Sequence, residues 1–395
     1  LAHHDRGRGM TALAPAGIRS HHGSLIIPAA AVHTTPLGYD RDSVPVGAPL
    51  PLAASAELVH RLSGCGEIVV AFEGKLGDTL LALSGVRAIL DWMRLRSVRV
   101  AVRAVGPYAG LIARTGLITQ PQASAPSGWR AVIGDRRGVE AHGSEAAVSL
   151  VLDPAAPPCW SSDGRAHPDL PARHYLALER RLGIRLPGTA PFAPTLATGP
   201  NNLVEELRSV GWLGGLTMAA ITATSWPERK DYTAQRFIAL AEHIAEAQQA
   251  QARLLLIGGN PGHGLRVTAE APRRHVQALH IDGMPADGLV DLFPHCHLIV
   301  GNDTGLTHLA AMARGGQDRG GPPVIGLYAR HSHSKWRTGL SHHHAVATNL
   351  SDRMHQGDLC PVRDAIAPDT DMHMDAFPPA ALAQVGLELL NEVGR

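Results

Sequence analysis

A polar turn at Asn302, Asp303, Thr304 and Gly305, followed by His308, is the part of the sequence best equipped to do chemistry. An apolar run of strand length precedes this turn, and apolar residues at helical spacing follow it. Because a helix start offers unpaired N–H groups and a positive dipole end, the amides near Thr304, Gly305 and Leu306 predict an anion site. Asp303 is better placed for a sugar hydroxyl, and His308 lies one turn into the helix. The residues alone also fit an N-capped helix with a satisfied histidine.

Two further positions carry groups that could act as a base or as an electrostatic donor. Asp78 follows a predicted strand and a glycine turn, so its carboxylate lies at a helix start, where it could take a proton from an attacking hydroxyl. The alternative is that Asp78 only caps its helix. Lys230, with the hydroxyls of Thr224 and Ser225 upstream, follows another predicted strand and could face the growing negative charge of a leaving group. A lone surface lysine, however, is usually solvated.

The elements that must position these residues alternate between strand and helix. The apolar patterns predict helices at 78–94, 173–182, 234–247 and 379–393, and strands at 68–72, 98–102, 148–152, 216–222, 253–257, 276–281, 298–301 and 324–328. This alternation indicates parallel sheets with right-handed crossovers, that is, two doubly wound α/β halves. Ligands in such sheets bind beyond the carboxyl ends of the strands, where all three candidate motifs lie.

The run from Asp303 to Ala311 resembles the hallmark of glycosyltransferase family 9, the ADP-heptose:lipopolysaccharide heptosyltransferase family. Further matches follow the family's order within residues 67–340, namely 77–81, 230–232 with 236–237, and 324–328. The resemblance implies an α/β GT-B fold, in which two Rossmann-like doubly wound domains face a cleft. It also implies that an inverting enzyme moves a heptose or another sugar from a nucleotide diphosphate sugar to an acceptor hydroxyl, without a metal or other cofactor.

The resemblance also assigns roles and domains. It implies that Asp78 is the catalytic base, that Lys230 binds phosphate, and that Asp303, Thr304, Gly305 and His308 bind the donor, with Thr224 and Ser225 as further donor contacts. We expect a poorly ordered N-terminal extension at residues 1–66, an acceptor domain at 67–200, a nucleotide-sugar domain at 201–377, and a C-terminal helix at 378–395 that packs back on the first domain.

Composition narrows the class of protein. A chain of 395 residues with a net charge of +1 and 45% apolar residues predicts globular domains and does not favour nucleic acid as a partner. The four cysteines show no C-x-x-C spacing, which argues against a disulfide framework and a zinc ribbon. No run predicts a membrane span or a signal peptide, so we expect a cytoplasmic enzyme, with peripheral attachment to the inner membrane as an alternative.

Several points stay open at this level. The histidines at 331, 333 and 342–344 lack metal-ligand spacing and predict a surface loop, although Arg330, His331 and Lys335 follow a strand and could line the acceptor or sugar side. Tyr328-Ala329-Arg330 replaces the family's Phe-Gly-Pro, which leaves the sugar and acceptor undetermined. The acceptor is a glycan, a lipid-linked molecule or a small molecule, as in a lipopolysaccharide core or a glycosylated antibiotic. The alternatives to a transferase are a GT-B nucleotide-sugar epimerase and a catalytically degenerate nucleotide-sugar-binding subunit.

Overall fold

The chain divides into two compact units. The computed structural model describes residues 19–21, 24–27, 52–118, 128–152, 159–160, 166–167, 169–224, 227–259, 261–314, 321–329, 331–348, 351, 374 and 377–393. The N-terminal unit comprises Asp42–Thr198 and Lys335–Ser341, and the C-terminal unit comprises Leu1–Arg41, Gly199–Ser334 and His342–Arg395. The boundary that the sequence predicts at residue 200 lies close to the division after Thr198. The return of 335–341 to the N-terminal unit is not predicted.

The N-terminal unit is built on a four-stranded parallel sheet in the order β4-β3-β5-β6. Its strands are β3 (Cys65–Ala71), β4 (Ala101–Val105), β5 (Trp129–Gly134) and β6 (Val148–Val151). Two short strands pair as a separate hairpin, β7 (Cys159–Trp160) and β8 (Ala166–His167). The helices are α1 (Ala56–Ser63), α2 (Leu76–Leu95), α3 (Ala109–Ala113), α4 (Arg136–His142) and α5 (Leu170–Leu182). Helix α2 is buried along most of its length, because apolar residues occupy nearly all of its sides.

The C-terminal unit holds a nine-stranded sheet in the order β1-β2-β17-β16-β14-β10-β11-β13-β12. Its strands are β1 (Arg19–His21), β2 (Ser24–Ile27), β10 (Leu216–Ile221), β11 (Ala252–Gly258), β12 (Arg266–Ala269), β13 (Val276–Asp282), β14 (Leu298–Asn302), β16 (Val324–Tyr328) and β17 (His343–Thr348). Strand β15 (Ala313–Arg314) is a further short strand of this unit, whereas β9 (Leu196–Ala197) lies at the end of the N-terminal unit. The helices are α6 (Asn202–Ser209), α7 (Pro227–Lys230), α8 (Ala234–Ala247), α9 (Ala286–Leu292), α10 (Gly305–Met312) and a C-terminal helix, Pro379–Val393.

The predicted fold class is confirmed. The inner strands of both sheets are parallel, and from β13 through β11, β10, β14 and β16 to β17 their order is that of the Rossmann fold. Each predicted strand and helix is present, with ends that differ by a few residues at most positions. Continuous apolar runs form these strands because helices cover both faces of a parallel sheet, which leaves little room for polar alternation.

At both ends of the chain the structure shows elements and contacts that the sequence does not predict. Within residues 1–66 the structure places β1 and β2, and β2 pairs in parallel with β17 at the edge of the C-terminal sheet. Helix α1, capped by the Ser55 side chain, and the start of β3 also lie in this range. The sequence predicts no order there because the two strands are short and lie in a segment rich in Ala, Pro and Gly.

The C-terminal helix packs on α8 of its own unit, whereas the sequence-based expectation is that it packs on the first domain. Leu382, Val385 and Leu389 are buried in the same apolar cluster as Ile244 of α8. Gly386 permits this close approach, because a Cβ there would lie 2.9 Å from Leu298 Cδ2 and 3.0 Å from Ile244 Cδ1. Apolar periodicity predicts that a helix buries one face, but it does not say against which partner.

None of the helices in the described part of the chain has the length and apolar character that crossing a membrane requires.

Candidate active site

The predicted donor residues of the C-terminal unit meet where the direction of strand succession reverses, between β10 and β14. Open α/β sheets bind ligands at this switch point, beyond the carboxyl ends of the strands. The chain after β10 leads to Lys230, at the end of α7, and the chain after β14 begins with Asp303. The geometry therefore brings together two motifs that lie far apart in sequence.

Asn302 joins these two segments through its fully buried side chain. Its Oδ1 accepts from the backbone N–H of Tyr232 at 3.0 Å, and its Nδ2 donates to the carbonyl of Thr222 at 3.1 Å. Nδ2 also lies 3.5 Å from Asp231 Oδ1, and burial raises the pKa of that carboxyl. Sequence analysis assigns Asn302 no role, although an amide at the end of an otherwise apolar strand is a signal, since a buried amide needs partners.

Asp303 forms the charged centre of the site. Lys230 Nζ donates to Asp303 Oδ2 at 2.8 Å and to its carbonyl at 3.3 Å, and His331 Nδ1 lies 2.7 Å from the same Oδ2. The side chains of Lys230 and Asp303 are only 14% and 10% exposed, so water screens the pair weakly. Burial alone would raise the pKa of the Asp303 carboxyl, but the attraction of Lys230 and His331 outweighs burial and holds that pKa far below its usual range.

Helix α10 begins at the predicted place. Thr304 is its N-cap residue, and the Thr304 hydroxyl accepts from the Leu306 amide at 3.1 Å. The Leu306 amide is therefore used inside the protein, which corrects the expectation that it faces a phosphate. No acceptor among the described residues takes a hydrogen bond from the amides of Thr304 and Gly305. These two amides thus remain available at the positive end of the helix dipole.

His308 lies inside the first turns of α10 and is 3% exposed. Burial, supported by the nearby Lys230 charge, lowers the pKa of its imidazole to about 4, although Asp303 acts in the opposite direction. Within the described structure its Nδ1 is buried without a hydrogen-bond partner. A proton on Nδ1 would then be a buried donor without an acceptor, so the neutral ring favours the tautomer with the proton on Nε2.

Of the other predicted donor contacts, Thr224 is half-buried after β10, and Ser225 lies outside the described residues. Tyr232, which lies in the family match at 230–232, is a core residue. Its side chain is fully buried and its hydroxyl donates to the carbonyl of Phe377 at 3.1 Å. The histidines at 343 and 344 belong to β17, which corrects the expectation of a surface loop, because the segment after them has the apolar character of a buried strand.

Asp78 lies in the first turn of α2 in the N-terminal unit, half-buried. The N-cap position is occupied by Lys75, so Asp78 is not the capping residue. Burial, with smaller contributions from the carboxylates of Asp135 and Asp78, raises the pKa of the neighbouring Tyr108, whose hydroxyl donates to the Gly74 carbonyl at 3.3 Å. Two carboxylates and a phenol thus lie at the strand ends of this sheet.

Asp135 builds the turn that precedes Asp78. Its carboxylate accepts from the amides of Glu73 at 3.1 Å, Gly74 at 2.5 Å and Gly138 at 2.7 Å. A Cβ at position 74 would lie 2.5 Å from Asp135 Oδ2, so the turn requires glycine. Sequence analysis does not identify Asp135, whose signal is an aspartate directly after a buried strand at a helix start.

Among the described residues, no group of three or more His, Cys, Asp and Glu side chains is arranged to hold a metal ion. At the switch point, the Lys230 ammonium supplies a positive charge, and the N-terminus of α10 supplies the positive end of a helix dipole.

Comparisons with known proteins agree with this geometry. Residues 208–362, which include the whole switch-point site, match the family model for glycosyltransferase family 9 (heptosyltransferase). A glycosyl transferase family 9 structure from Veillonella parvula is 13% identical, with 82% of this chain and 97% of that chain covered and a TM-score of 0.55. The E. coli heptosyltransferase WaaC with ADP is 14% identical, with 82% and 99% covered and a TM-score of 0.51.

No curated protein matches the chain. The two structural matches show the GT-B fold, and the family model confirms the resemblance over residues 208–362, a range that excludes the motif at 77–81.

Proposed function

We propose that this chain, a glycosyltransferase with a family 9 domain at residues 208–362, transfers a heptose or a related sugar from a nucleoside diphosphate to an acceptor hydroxyl with inversion. The observation that carries the proposal is the buried Lys230–Asp303 pair at the strand switch point, beside the free amides of α10. Anionic nucleotide ligands bind at this place in open α/β sheets.

The switch point supplies donors for a departing diphosphate. An ammonium has three N–H donors, and Lys230 uses two of them on Asp303, so the third is available for a phosphate oxygen. The amides of Thr304 and Gly305 add two fixed dipoles, and His308 adds a neutral Nε2–H donor. Fixed donors aimed at developing charge lower the barrier more than donors that bind only the ground state. These groups would neutralise the diphosphate without a divalent ion.

Asp303 would bind the sugar through its second carboxylate oxygen. Lys230 and His331 both bond to Oδ2, and no described residue donates to Oδ1. Oδ1 is also absent from the buried polar atoms that lack a partner in the described structure, so it is accessible to a ligand. An ionised carboxylate oxygen in this state is a strong acceptor for a sugar hydroxyl.

Asp78 is the proposed base. Its carboxylate would accept the proton of the acceptor hydroxyl while that oxygen attacks the anomeric carbon, and the bond from that carbon to the diphosphate oxygen would break on the opposite side. The products would be the glycoside, with inverted anomeric configuration, and a nucleoside diphosphate. Base catalysis of this type typically contributes about 10²- to 10⁴-fold to the rate.

The finer assignments follow the family and the composition. WaaC, the heptosyltransferase named above, is described with ADP, which makes ADP the first nucleotide to test. The acceptor is proposed to be a lipopolysaccharide core or a secreted metabolite such as an antibiotic. An epimerase of the same fold would instead form an isomer without any acceptor, and a binding subunit would bind the nucleotide without turnover.

The experiment is turnover of ADP-heptose, GDP-mannose and UDP-glucose with a panel of acceptors in the presence of EDTA. Product analysis would record the anomeric configuration. We expect Asp78→Asn to reduce kcat at least about 100-fold with the donor affinity retained. Glu57→Gln is the matched control, because Glu57 is an exposed acid in the first turn of α1 of the same unit. Equal rates for Asp78→Asn and the wild type would reject Asp78 as the base, and the absence of any transfer would reject the function.

A further inference from the structure

His331 reaches the donor site from a third strand. Strand β16 pairs in parallel with β14, so the chain after Tyr328 emerges beside Asn302 and Asp303. His331 lies at this edge, and its Nδ1 is 2.7 Å from Asp303 Oδ2. The segment is also where the chain departs from the family pattern, since Tyr328-Ala329-Arg330 replaces Phe-Gly-Pro. The histidine contact to Asp303 thus comes from the segment that directly follows this departure.

Two hydroxyls, at the last residue of β17 and three residues beyond it, hold the carbonyls of Ala329 and His331. Thr348 Oγ1 donates to the carbonyl of Ala329, and Ser351 Oγ donates to the carbonyl of His331, each at 2.5 Å. Thr348 and Ser351 are both fully buried, and the Ser351 amide donates to Thr348 Oγ1 at 3.3 Å. Because the carbonyls of Ala329 and His331 both accept hydrogen bonds from buried hydroxyls, the backbone that carries the His331 imidazole is held in place.

Lys230 alone would hold Asp303 less well. The terminal torsion of an aspartate is broad, and an ammonium on a flexible stem acts as a point donor that allows the carboxylate to turn. The planar imidazole of His331 contacts the same oxygen from an anchored backbone, and this second contact restricts rotation of the Asp303 carboxylate. With Oδ2 fixed by two donors, Oδ1 is held in one orientation.

We propose that His331 is a positioning residue that sets the donor's sugar specificity by holding Asp303 Oδ1 toward a hydroxyl of the transferred sugar. This inference rests on the proposed function, because it requires a nucleotide sugar at the switch point. It assigns His331 to recognition of the sugar rather than of the diphosphate. Removal of the imidazole should therefore weaken binding of the nucleotide sugar much more than binding of the nucleoside diphosphate.

The test is calorimetric binding of a nucleoside diphosphate and its sugar conjugate to the full chain. ADP with ADP-heptose, GDP with GDP-mannose and UDP with UDP-glucose are compared on the wild type, and the tightest pair is then used for the variants. In His331→Ala we expect at least about a tenfold loss of affinity for the nucleotide sugar and less than about a threefold loss for the diphosphate.

Two conservative variants separate positioning from packing. In His331→Asn the amide nitrogen can replace Nδ1 as a donor, so we expect sugar affinity within about threefold of the wild type. In His331→Gln the longer side chain carries its amide past that position, so we expect the loss seen in His331→Ala. Asn201, an N-cap in the same unit that bonds to Leu203, Val204 and Asp291, gives an Asn201→Ser control that should bind like the wild type.

Each outcome decides the proposal. Equal losses for the sugar conjugate and the diphosphate in His331→Ala, or equal behaviour of the Asn and Gln variants, would overturn it. If the wild type binds none of the nucleoside diphosphates or their sugar conjugates, both the proposed function and this inference are rejected. If the wild type binds and His331→Ala keeps its sugar preference, only the role of His331 fails.

Discussion

Asn302 and His308 show how single side chains shape the switch point of the C-terminal unit. Asn302 ties the chains after β10 and β14 through bonds to Thr222 and Tyr232, and His308 is buried beside the Lys230–Asp303 pair. Neither role follows from residue type alone, because an amide or an imidazole in a turn is ordinary. Asn302 gains its role from burial together with defined hydrogen-bond partners, and His308 gains its role from burial near a charged pair.

We predict that Asn302→Asp destabilises the protein more than Asn302→Ala. The carboxylate would lose the donor to the Thr222 carbonyl and would lie near Asp231, in a position that is fully buried. A buried, unsatisfied group costs roughly 1–3 kcal/mol, and an unpaired charge costs more. Thermal unfolding of both variants would measure the difference. Asn202→Asp, at an exposed position in α6, should be close to neutral, and equal effects at 202 and 302 would contradict the account.

We predict a pH-dependent effect of His308→Asn on stability. Since the folded protein lowers the pKa of His308 to about 4 from 6.5, the unfolded chain binds more protons between these values. The wild type therefore loses stability as the pH falls from about 6.5 towards 4, by up to roughly 3 kcal/mol from this residue. The variant lacks this loss, so the difference between their unfolding temperatures should shrink, or change sign, on acidification. If scanning calorimetry gave the same difference in unfolding temperature between wild type and variant at pH 7 and at pH 4.5, the prediction would be contradicted.

At the scale of elements, the two ends of the chain complete the C-terminal unit. Strand β2 extends the sheet beyond β17, and the C-terminal helix covers α8. Periodicity predicts the C-terminal helix with its observed bounds, because its apolar residues repeat at helical spacing. The partner of that helix, and the short N-terminal strands, depend on contacts between distant segments, which a local pattern does not encode.

We predict that Leu382→Ala loosens α8. Leu382 is fully buried in the cluster that includes Ile244, and truncation of a buried leucine costs about 2–5 kcal/mol. Hydrogen exchange measured by mass spectrometry should increase in Ala234–Ala247 and remain unchanged in Leu76–Leu95 of the other unit. Leu387→Ala, at a partly buried position of the same helix, should have a smaller effect. Faster exchange confined to Leu76–Leu95 would instead support packing on the first domain.

We also predict that deletion of residues 1–27 exposes the edge of β17. The backbone of β2 pairs with Ala345–Thr348, so its loss would leave amides of β17 without acceptors. Exchange in His343–Thr348 should rise, while exchange in β11, remote from that edge, should not. Unchanged protection of β17 would mean that the hairpin contributes nothing to the sheet.

At the scale of the whole molecule, two largely parallel sheets carry polar residues at their strand ends, and Asp78, Lys230 and Asp303 are the ones that the sequence predicts for a site. The position of Asp303 after a buried strand and of Lys230 after another is enough to predict that they meet, because parallel strands end at one edge. Their direct ion pair is not predictable from spacing, nor is the choice of His331 as the second partner. Such choices depend on side-chain directions that only the folded chain defines.

The central claim is that the switch point of the C-terminal unit binds the diphosphate of a nucleotide sugar. The most direct measurement is calorimetric titration of ADP, GDP and UDP into the wild type, Lys230→Met and Lys230→Arg in the presence of EDTA. We predict that at least one nucleotide binds the wild type without a divalent ion. Lys230→Met should bind it at least about tenfold more weakly, and Lys230→Arg should retain part of the affinity. Binding of none of the three nucleotides, or equal affinity in the wild type and Lys230→Met, would contradict the claim.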